Sequence, residues 1–451
     1  MKNLCRLSTV ALALGAALAS PVAKAQAAST LTGWALMPAN TFSDGPTTGQ
    51  FASGAGGNPL PLIDKQSVQG FSAVLNGPTA GSYLFMPDNG FGSQGNSADA
   101  LLRMYALRPD FKTATGGSGT VSAASYSSGA ALAGFNADSH ITLADPNRLL
   151  GFAIQADYTR YYNNAANPLV DPSIRAGRLL TGADFDIESV RKDKNGNLWF
   201  GEEFGPFLLK TNASGTVLRS EVAMAGVKAP QNPYLGNGLP TLGSSRGFEG
   251  MAINPAGDKL FTLLEGTVTG DAAKTLRINE FSVDTESYTG QQWRYLLDAA
   301  GTNIGDMTAI NSHEFLVIER NGATATGGGT PFKKIFRIDL NQLDAAGNVS
   351  KREVVDLMNI ADPHDLNGDG STTFTFPFVT IESVLILDAN TLLVANDNNY
   401  PGTGGRNALS DNTEFLKISL ANPVPEPESY ALMLGGLAAL GLLMRRRKSG
   451  V

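Results

Sequence analysis

The chain is poor in the residues on which many catalytic chemistries depend. It has one cysteine, Cys5, in 451 residues, and three histidines, His140, His313 and His364. Because Cys5 lies in the expected leader segment, the exported protein is expected to contain neither a thiol nor a disulfide. The histidines are too few and too scattered for a metal-binding triad or a serine–histidine pair. These shortages exclude a thiol nucleophile and disfavour a histidine-based metal centre.

Nucleophilic serine chemistry is weakly indicated as well. Residues 243–247 read Gly-Ser-Ser-Arg-Gly and match the pattern G-x-S-x-G, but they follow a loop rich in proline and glycine and lead into a strand. A nucleophile elbow requires a strand, a sharp turn and a helix in that order. We interpret the match as a coincidence, and the chain has no phosphate-binding glycine loop.

Charged residues are also scarce, at 17% against 42% hydrophobic residues, so the chain can bury a large core. The whole chain has a formal net charge of −7, but residues 26–423 alone carry 27 basic and 39 acidic residues, a net charge of −12. An acidic body excludes nucleic acid and anionic lipid as expected partners and favours bound cations.

Both ends of the chain have the composition of targeting segments. Residues 1–25 combine a basic start, an apolar run and a small-residue cleavage pattern at Ala23-Lys24-Ala25, which predicts a signal peptide for Sec export. Residues 424–451 hold a Pro-Glu-Pro tripeptide, an apolar stretch predicted to be a helix, and a terminal basic cluster. That stretch is somewhat short for a full span, although a simple membrane anchor is the plainest interpretation. The body of the protein is therefore expected to be residues 26–423.

A repeated pair of strands dominates this body. In each copy a strand begins near an acid, turns, and returns to a second acid, and the two acids of the last four copies lie 13 to 16 residues apart. The first copy departs by opening on Gln69. An antiparallel hairpin brings the start of its first strand and the end of its second to one edge, so all these acids are expected on one face. The copies run from Gln69 to Asp88, Glu188 to Glu202 and Glu203, Glu249 to Glu265, Asp306 to Glu319, and Glu382 to Asp397.

The rest of the body also alternates with period two and carries Asn-Gly and Asp-Gly turn signals. A third and usually a fourth strand follow each acidic pair, which predicts an all-β fold: a β-propeller of five or six mostly four-stranded antiparallel blades. Residues 112–134, rich in Gly, Ser and Ala, are expected to form a flexible excursion. Residues 152–178 could be a degenerate sixth blade or a lid. The segment from Leu31 to Phe42 could supply the strand that closes the ring.

Carboxylates collected on one face need a charge partner. Two of them about 6 Å apart repel by about 3 kcal/mol at an effective dielectric constant near 20. Oxygen-only, thiol-free ligands in an exported protein favour Ca²⁺ first and Mg²⁺ second. The open alternative is that each acid accepts backbone N–H groups at its own turn or ties neighbouring blades together. The candidate metal ligands are Asp88, Glu188, Glu249, Glu265, Asp306, Glu319, Glu382 and Asp397.

Several of these segments together resemble the phytase-like family that is described by an esterase-like activity. They are the run from Asp186 to Lys210, the run from Ser245 to Met251, Gly305 to Ala309, FTFPFVTIESV, and Asn396 to Pro401. The resemblance covers most of residues 67–420. It implies a secreted propeller related to the calcium-dependent phytases, with Ca²⁺ at one mouth where a phosphoester or carboxyl ester docks.

The resemblance also implies a metal-assisted hydrolysis and candidate roles for particular residues. Glu202, Glu203 and Glu249 would be carboxylates of the reaction centre, and Arg246 and Arg320 would hold the substrate anion, unless they only pair with neighbouring acids. The further candidates for substrate contact are Lys210, Arg406, Asn89 and Asn398.

The last 28 or so residues resemble the PEP-CTERM sorting signal. This resemblance implies a Gram-negative bacterium in which the protein is anchored transiently in the inner membrane, cleaved by an exosortase, and released or attached at the cell surface. Such a context keeps a rival function open, a non-catalytic calcium-stabilised propeller that binds exopolysaccharide or a matrix partner. A third alternative is a lactonase-like hydrolase. An enzyme requires the acids, Arg246 and Arg320 to converge in one pocket, whereas an adhesin tolerates their dispersal.

Overall fold

The computed structural model describes residues 28–55, 57–163, 169–402 and 405–424. The predicted leader and nearly all of the predicted sorting segment lie outside these residues. The first twelve strands are β1 Thr30–Met37, β2 Phe42–Asp44, β3 Lys65–Ser67, β4 Phe71–Asn76, β5 Tyr83–Pro87, β6 Arg103–Asp110, β7 Thr120–Ala123, β8 His140–Thr142, β9 Ile187–Lys192, β10 Leu198–Glu202, β11 Phe207–Thr211 and β12 Val222–Ala223.

Thirteen further strands follow in the second half of the described chain. They are β13 Gly250–Ile253, β14 Lys259–Leu263, β15 Thr275–Ser282, β16 Ser287–Leu296, β17 Asn303–Ala309, β18 Glu314–Arg320, β19 Lys333–Leu343, β20 Val349–Asp356, β21 Ile360–Ala361, β22 Thr373–Phe374, β23 Thr380–Asp388, β24 Thr391–Asp397 and β25 Thr413–Ser419. The described helices are α1, Pro172–Gly177, and 3₁₀ turns at Gln94–Asn96, Ala137–Ser139 and Gln155–Asp157. No helix among the described residues is long and apolar enough to cross a membrane.

Twenty of the strands form five antiparallel units, which we call blades 1 to 5. In order from the innermost strand outward, they are β4-β5-β6-β7, β9-β10-β11-β12, β13-β14-β15-β16, β17-β18-β19-β20 and β23-β24-β25-β1. The innermost strands β4, β9, β13, β17 and β23 touch one another in cyclic order, so the ring is closed. The fold is a β-propeller, as predicted, with five blades.

The N-terminal strand closes the ring, in agreement with the expectation for this segment. Strand β1 is the outermost strand of blade 5 and pairs antiparallel with β25, from Thr30 opposite Ser419 to Met37 opposite Thr413. The two ends of the described chain are thereby joined in one blade, and the last blade gains its fourth strand from the opposite terminus.

The structure tests the predictions made for two segments, residues 112–134 and residues 152–178. Residues 112–134 contain β7, the outermost strand of blade 1, so the expectation of a flexible excursion was wrong for that stretch. Its Ser- and Ala-rich alternation pairs with β6 all the same, from Leu107 opposite Ala123 to Asp110 opposite Thr120. The described part of residues 152–178 holds only the 3₁₀ turn and α1 and is not a sixth blade.

The core lies between the blades rather than in one central mass. Each pair of neighbouring blades encloses its own cluster of buried apolar side chains, and five such clusters account for the five blade interfaces. Strands inside a blade are therefore covered on both faces, and every residue of β18 is buried. This packing holds the hairpins rigidly and fixes where their ends meet at the mouth.

Candidate metal centre at the propeller mouth

The hairpin register brings the repeat acids to one mouth of the ring. In blade 3, Gly250 pairs with Leu263, so Glu249 and Glu265 flank the same end of the hairpin. In blade 5, Asp397 pairs with Thr380. The expected convergence of acids on one face is therefore present for most of the repeat.

Two groups of carboxylates at this mouth lie close enough to hold cations. In each group, one oxygen per residue lies within 4.8 Å of the others, and every member is buried. The first group is Asp186, Glu188 and Glu203, and the second is Glu203, Glu249 and Glu265. Because Glu203 belongs to both, its carboxylate would contribute a ligand atom to either group.

Glu203 shows that the donor set fits a cation. Its Oε1 atom is buried and has no hydrogen-bond partner within the described part of the chain, while its backbone N–H donates to the carbonyl of Asp186 at 2.9 Å. A buried, unpaired carboxylate oxygen is costly in a protein interior unless a cation or proton neutralises it. The donors of both groups are all carboxylate oxygens, the ligands that Ca²⁺ and Mg²⁺ prefer.

The pKa values at the mouth follow from burial and crowding of like charges. Burial, and after it the repulsion from Glu382 and Glu265, raises the pKa of Glu249 well above its ordinary value. The same causes raise the pKa of Glu203, with Glu265 and Asp186 as the repelling neighbours. These carboxyl groups therefore ionise readily only when a positive charge compensates them.

Arg320 lies at the centre of the cluster and is almost fully buried. Its Nη2 atom lies 2.7 Å from Glu382, 3.1 Å from Glu249 and 3.3 Å from Glu265. A second base, Arg246, contacts Glu265 at 2.5 Å, but 41% of its side chain is exposed. Arg320 is thus committed to three acids, whereas Arg246 keeps donors available to a ligand.

A pair of aspartates extends the acidic mouth towards blades 1 and 5. Asp88 and Asp397 both line a cavity of about 140 Å³. A Cβ on Gly70 would lie 3.0 Å from Oδ1 of Asp88 and 3.5 Å from Oδ1 of Asp397, and the φ of +72° at Gly70 favours glycine. Burial, and then the charge of Asp397, raises the pKa of Asp88 well above normal.

Six predicted acids lie outside the two carboxylate groups: Asp88, Asp397, Glu382, Glu202, Asp306 and Glu319. Glu202 accepts the backbone N–H groups of Phe204, Gly205 and Phe207 at 2.7 to 2.8 Å. This side chain shapes its own turn, as the open alternative for these acids anticipated. Glu202 is the last residue of β10, and Glu203 is the first residue of the turn that follows, where its side chain joins both carboxylate groups.

The two acids of blade 4 are likewise occupied by the protein. Asp306 receives Arg191 at 2.8 Å on Oδ1 and the N–H of Val384 at 3.1 Å on Oδ2, so it ties together blades 2, 4 and 5. Glu319 receives the Tyr295 hydroxyl at 2.5 Å and Lys351 at 2.6 Å, at the interface with blade 3. Neither carboxylate belongs to the two ligand groups.

Three of the residues predicted to contact substrate are instead paired with other parts of the protein. Lys210 pairs with Glu286 at 2.5 Å, and Arg406 pairs with Glu414 at 2.5 Å. Asn398 donates to Gln69 at 2.8 Å and holds the first residues of blade 1. Their contacts are structural, and the structure does not bring them into the cluster.

Asn89 and Asp186 lie closer to the carboxylate groups of the mouth. The Oδ1 of Asn89 accepts the N–H groups of Phe91 and Gly92 in its own loop. Burial raises the pKa of Asp186 to about 6, and the nearby Asn89 side chain offsets part of that rise. Asp186 itself was not among the predicted ligands. Its signal was available, because the spacing Asp-x-Glu at 186 and 188 puts both side chains on one face of the strand that begins there.

Comparison with known sequences identifies two segments of the chain. Residues 66–400 match the phytase-like family described as "esterase-like activity of phytase". Residues 423–448 match the PEP-CTERM protein-sorting motif, which marks an exported, exosortase-processed protein of a Gram-negative bacterium. No curated protein sequence matches the chain.

The chain is similar to several solved structures at low sequence identity and low TM-score. The native arabinanase Arb43A of Bacillus subtilis is 10% identical, with 79% of this chain and 95% of that chain covered and a TM-score of 0.35. An exo-β-1,3-galactanase of Phanerochaete chrysosporium is also 10% identical, covers 78% and 60%, and has a TM-score of 0.36. A luciferin-regenerating enzyme is 11% identical, covers 80% and 84%, and has a TM-score of 0.35. At these values the likeness assigns no substrate and no residue role to this chain.

Proposed function

Because this chain belongs to the phytase-like family, we propose that it is an exported, metal-dependent hydrolase of phosphoesters or carboxyl esters acting at the propeller mouth. The observation that supports the proposal most is the position of Glu203, a buried carboxylate with an unpaired oxygen that belongs to two ligand groups. Structural acids elsewhere in the repeat, such as Glu202, have all their partners within the protein.

Asp186, Glu188 and Glu203 would hold one divalent cation, and Glu203, Glu249 and Glu265 would hold a second. Ca²⁺ is the favoured ion and Mg²⁺ the alternative. Bound there, the cations would supply Lewis-acid polarisation of the ester and a lowered pKa for an attacking water. The remaining work belongs to the side chains around them.

Arg246 is the proposed contact for the substrate's anionic or carbonyl oxygen. Its guanidinium is anchored at one nitrogen by Glu265 and is otherwise 41% exposed at the rim. A guanidinium has five N–H donors, so several remain for a ligand after this contact. Arg320 is a positioning residue, because its three carboxylate partners and its burial leave it out of reach of substrate.

Glu382 has a supporting role in this arrangement. Its Oε1 lies 2.7 Å from Arg320, and its Oε2 accepts the Ser72 hydroxyl at 3.3 Å. It therefore holds the buried guanidinium from the side of blade 5, opposite Glu249 of blade 3. This sharing of one cation keeps the two inner strands at a fixed separation across the mouth.

The test is hydrolysis by the purified full chain of a phosphomonoester, a short-chain carboxyl ester and a lactone, each with added Ca²⁺ and with EDTA. We expect turnover of a phosphoester or carboxyl ester that is lost in EDTA and in Glu203→Gln, with the preferred ester naming the class. Preference for the lactone would instead favour the lactonase-like alternative.

A calcium-dependent rise in melting temperature without turnover of any ester would overturn the proposal that the protein is a hydrolase. It would favour a calcium-stabilised surface propeller that binds exopolysaccharide. Export through Sec and attachment at the cell surface are part of the same proposal. The sorting motif supports them, and the exosortase is the implied processing partner.

A further inference from the structure

A second cavity lies beside the carboxylate cluster, between blade 2 and the insertion that carries the 3₁₀ turn Gln155–Asp157. Its volume is about 430 Å³, within the range of about 300 to 1,000 Å³ that is typical of small-molecule sites. Its lining includes Phe152, Gln155, Tyr158 and Phe204. The predicted metal-ligand set does not use this space.

The cavity wall contains residues that are close in sequence to the proposed reaction centre. Phe204 directly follows Glu203, and consecutive Cα atoms are about 3.8 Å apart. On the other side, Asp184 lines the cavity and precedes Asp186 by two residues, a span of about 7 Å in extended chain. Residues of the cavity wall therefore lie within two positions of the proposed ligands Glu203 and Asp186, although neither of those carboxylates lines the cavity.

Gln155 is the polar group that points to a ligand. It is 1% exposed, yet neither its amide oxygen nor its amide nitrogen has a hydrogen-bond partner among the described residues. Burial raises the pKa of the Tyr162 hydroxyl, and the nearby Gln155 amide offsets part of this rise. The two groups do not have the geometry of a hydrogen bond. A buried unpaired amide is costly, and a bound partner with both a donor and an acceptor would relieve it.

The backbone holds Gln155 in place even though its side chain is unpaired. Its N–H donates to Oδ1 of Asp184 at 2.5 Å, and Asp184 in turn accepts the N–H of Thr181 at 2.8 Å. The amide is therefore presented from a fixed point of the wall and does not need to be ordered when a ligand binds.

Aromatic side chains form much of the remaining wall. Phe152 stacks on Phe207 with ring centroids 6.2 Å apart, and it meets Phe185 edge-on at 5.3 Å. Tyr158, which is 44% exposed, also lines the cavity. Two further amides, Gln94 and Gln231, line the same space.

Aromatic faces combined with several amides suit a sugar ring, which has an apolar C–H face and hydroxyls that both donate and accept. An acyl chain would leave Gln155 unpaired. Arg160 also lines the cavity, but its guanidinium packs over the rings of Tyr158 and Tyr161, and an anion would meet the buried carboxylate of Asp184. We propose that this cavity binds the sugar ring of a sugar ester, so that the substrate class is phosphorylated or acylated monosaccharide units. The reaction in this statement rests on the proposed function, whereas the binding of a sugar does not.

The kinetic test compares each sugar ester with a plain ester of the same chemistry. The probes are the 6-phosphates and 6-O-acetyl esters of glucose, galactose and mannose, with propyl phosphate and ethyl acetate as references. For Gln155→Leu we expect a rise in KM of about tenfold for the sugar ester and no change for the plain ester, since two hydrogen bonds are lost. Gln292→Leu, an amide on the outermost strand of blade 3, is the matched control.

A stability measurement separates binding from folding. Because the Gln155 amide is unpaired in the free protein, Gln155→Leu is expected to keep or raise the melting temperature, whereas a structural amide would lower it. Equal loss on sugar and plain esters, or no preference for any of the six sugar esters over the plain ones, would overturn the proposal.

If no ester of any kind is cleaved, the proposed function fails, and the cavity is judged by calorimetric titration with the methyl glycosides of the same three sugars. Binding that Gln155→Leu weakens by about tenfold or more, and that Gln292→Leu leaves unchanged, would uphold the sugar site. Absence of binding by all three glycosides would overturn it.

Discussion

Blades 3 and 4 carry the same pair of acids at the ends of the same hairpin but use them in opposite ways. In blade 3, Glu249 and Glu265 both enter the mouth and belong to one ligand group. In blade 4, Asp306 is held by Arg191 of blade 2 and the N–H of Val384 of blade 5, Glu319 is held by Lys351, and Arg320 contacts the acids of the mouth. One blade thus supplies two negative charges to the mouth, and its neighbour supplies a positive charge.

The two hairpins also differ in strand register, although a comparable shift at Glu188 in blade 2 and at Glu382 in blade 5 leaves those acids at the mouth. The hairpin of blade 3 pairs without interruption from Gly250 opposite Leu263 to Ile253 opposite Leu260. In blade 4 the register shifts between Ile304 and Met307, so Asp306 lies in a β-bulge. The comparison teaches that acid spacing alone does not assign a ligand.

The largest effect is expected for the positive charge of blade 4. Replacing Arg320 with Met leaves three buried carboxylates without their shared cation, which we expect to lower the free energy of unfolding by about 3 to 5 kcal/mol in EDTA. Added Ca²⁺ should recover part of this loss. Chemical denaturation with and without Ca²⁺ measures both.

The control for this change is Arg406→Met. Arg406 pairs with Glu414 and packs over Phe374 at 4.9 Å, so its loss should cost about 1 kcal/mol and be insensitive to Ca²⁺. A calcium-insensitive loss for Arg320→Met would show that the cluster does not bind the ion.

The pH dependence of the free energy of unfolding should differ between Glu382 of blade 5 and Asp306 of blade 4. Burial raises the pKa of Glu382 from 4.5 to about 8 despite the nearby Arg320 guanidinium. Between those values the folded state holds a proton that the unfolded chain has released. Stability in EDTA should therefore fall as pH rises from about 5 to 8, by about 1.4 kcal/mol per unit for such a group.

Asp306 of blade 4 provides the contrast, because burial raises its pKa only from 3.8 to about 6. Its contribution should be lost by about pH 6 and should not respond to Ca²⁺. Calcium should flatten the profile between pH 6 and 8, since it stabilises the ionised mouth acids. Melting temperatures across pH 5 to 8 in EDTA and in Ca²⁺ give the result, and identical profiles would contradict the assignment of the mouth as a cation site.

Glu203 and Glu202 allow the same comparison within one turn. Glu203→Gln removes the shared ligand, and we expect Ca²⁺ affinity to fall at least about 100-fold, more than the roughly 10- to 100-fold typical of lost outer-sphere partners. Glu202→Gln should lower stability, because three N–H donors lose their carboxylate, while Ca²⁺ affinity stays the same. Calorimetric titration measures affinity, and equal loss in both variants would remove the distinction.

Apart from the Arg406→Met control, the smallest effect is expected at the outer partner of Glu319. Lys351 lies 2.6 Å from this buried carboxylate and over the rings of Tyr295 and Phe336. Lys351→Met keeps the apolar stem but loses one charged hydrogen bond, which should cost about 1.5 kcal/mol. Thermal unfolding should show this loss unchanged by Ca²⁺, and a weakened calcium response would place Glu319 among the metal ligands after all.

Much of the fold was predictable because its signals are local. Period-two alternation, turn dipeptides and the repeated acidic hairpin predicted a propeller of four-stranded blades with its acids on one face. The segment from Leu31 to Phe42 was expected to close the ring, and it contributes to the strand that does so. The blade count needed the structure, since residues 152–178 have no periodic pattern that tells an insertion from a degenerate blade.

The sequence alone determined that carboxylates gather at one mouth and that neither thiols nor a histidine triad accompany them, because hairpin geometry and composition do not depend on distant contacts. The tertiary structure decided which acids meet. Glu202 and Glu203 are indistinguishable in sequence, and only the turn after β10 gives one of them three N–H partners and leaves the other unpaired. The bulge in blade 4 and the central place of Arg320 are likewise outcomes of register and packing between blades, which no local pattern encodes.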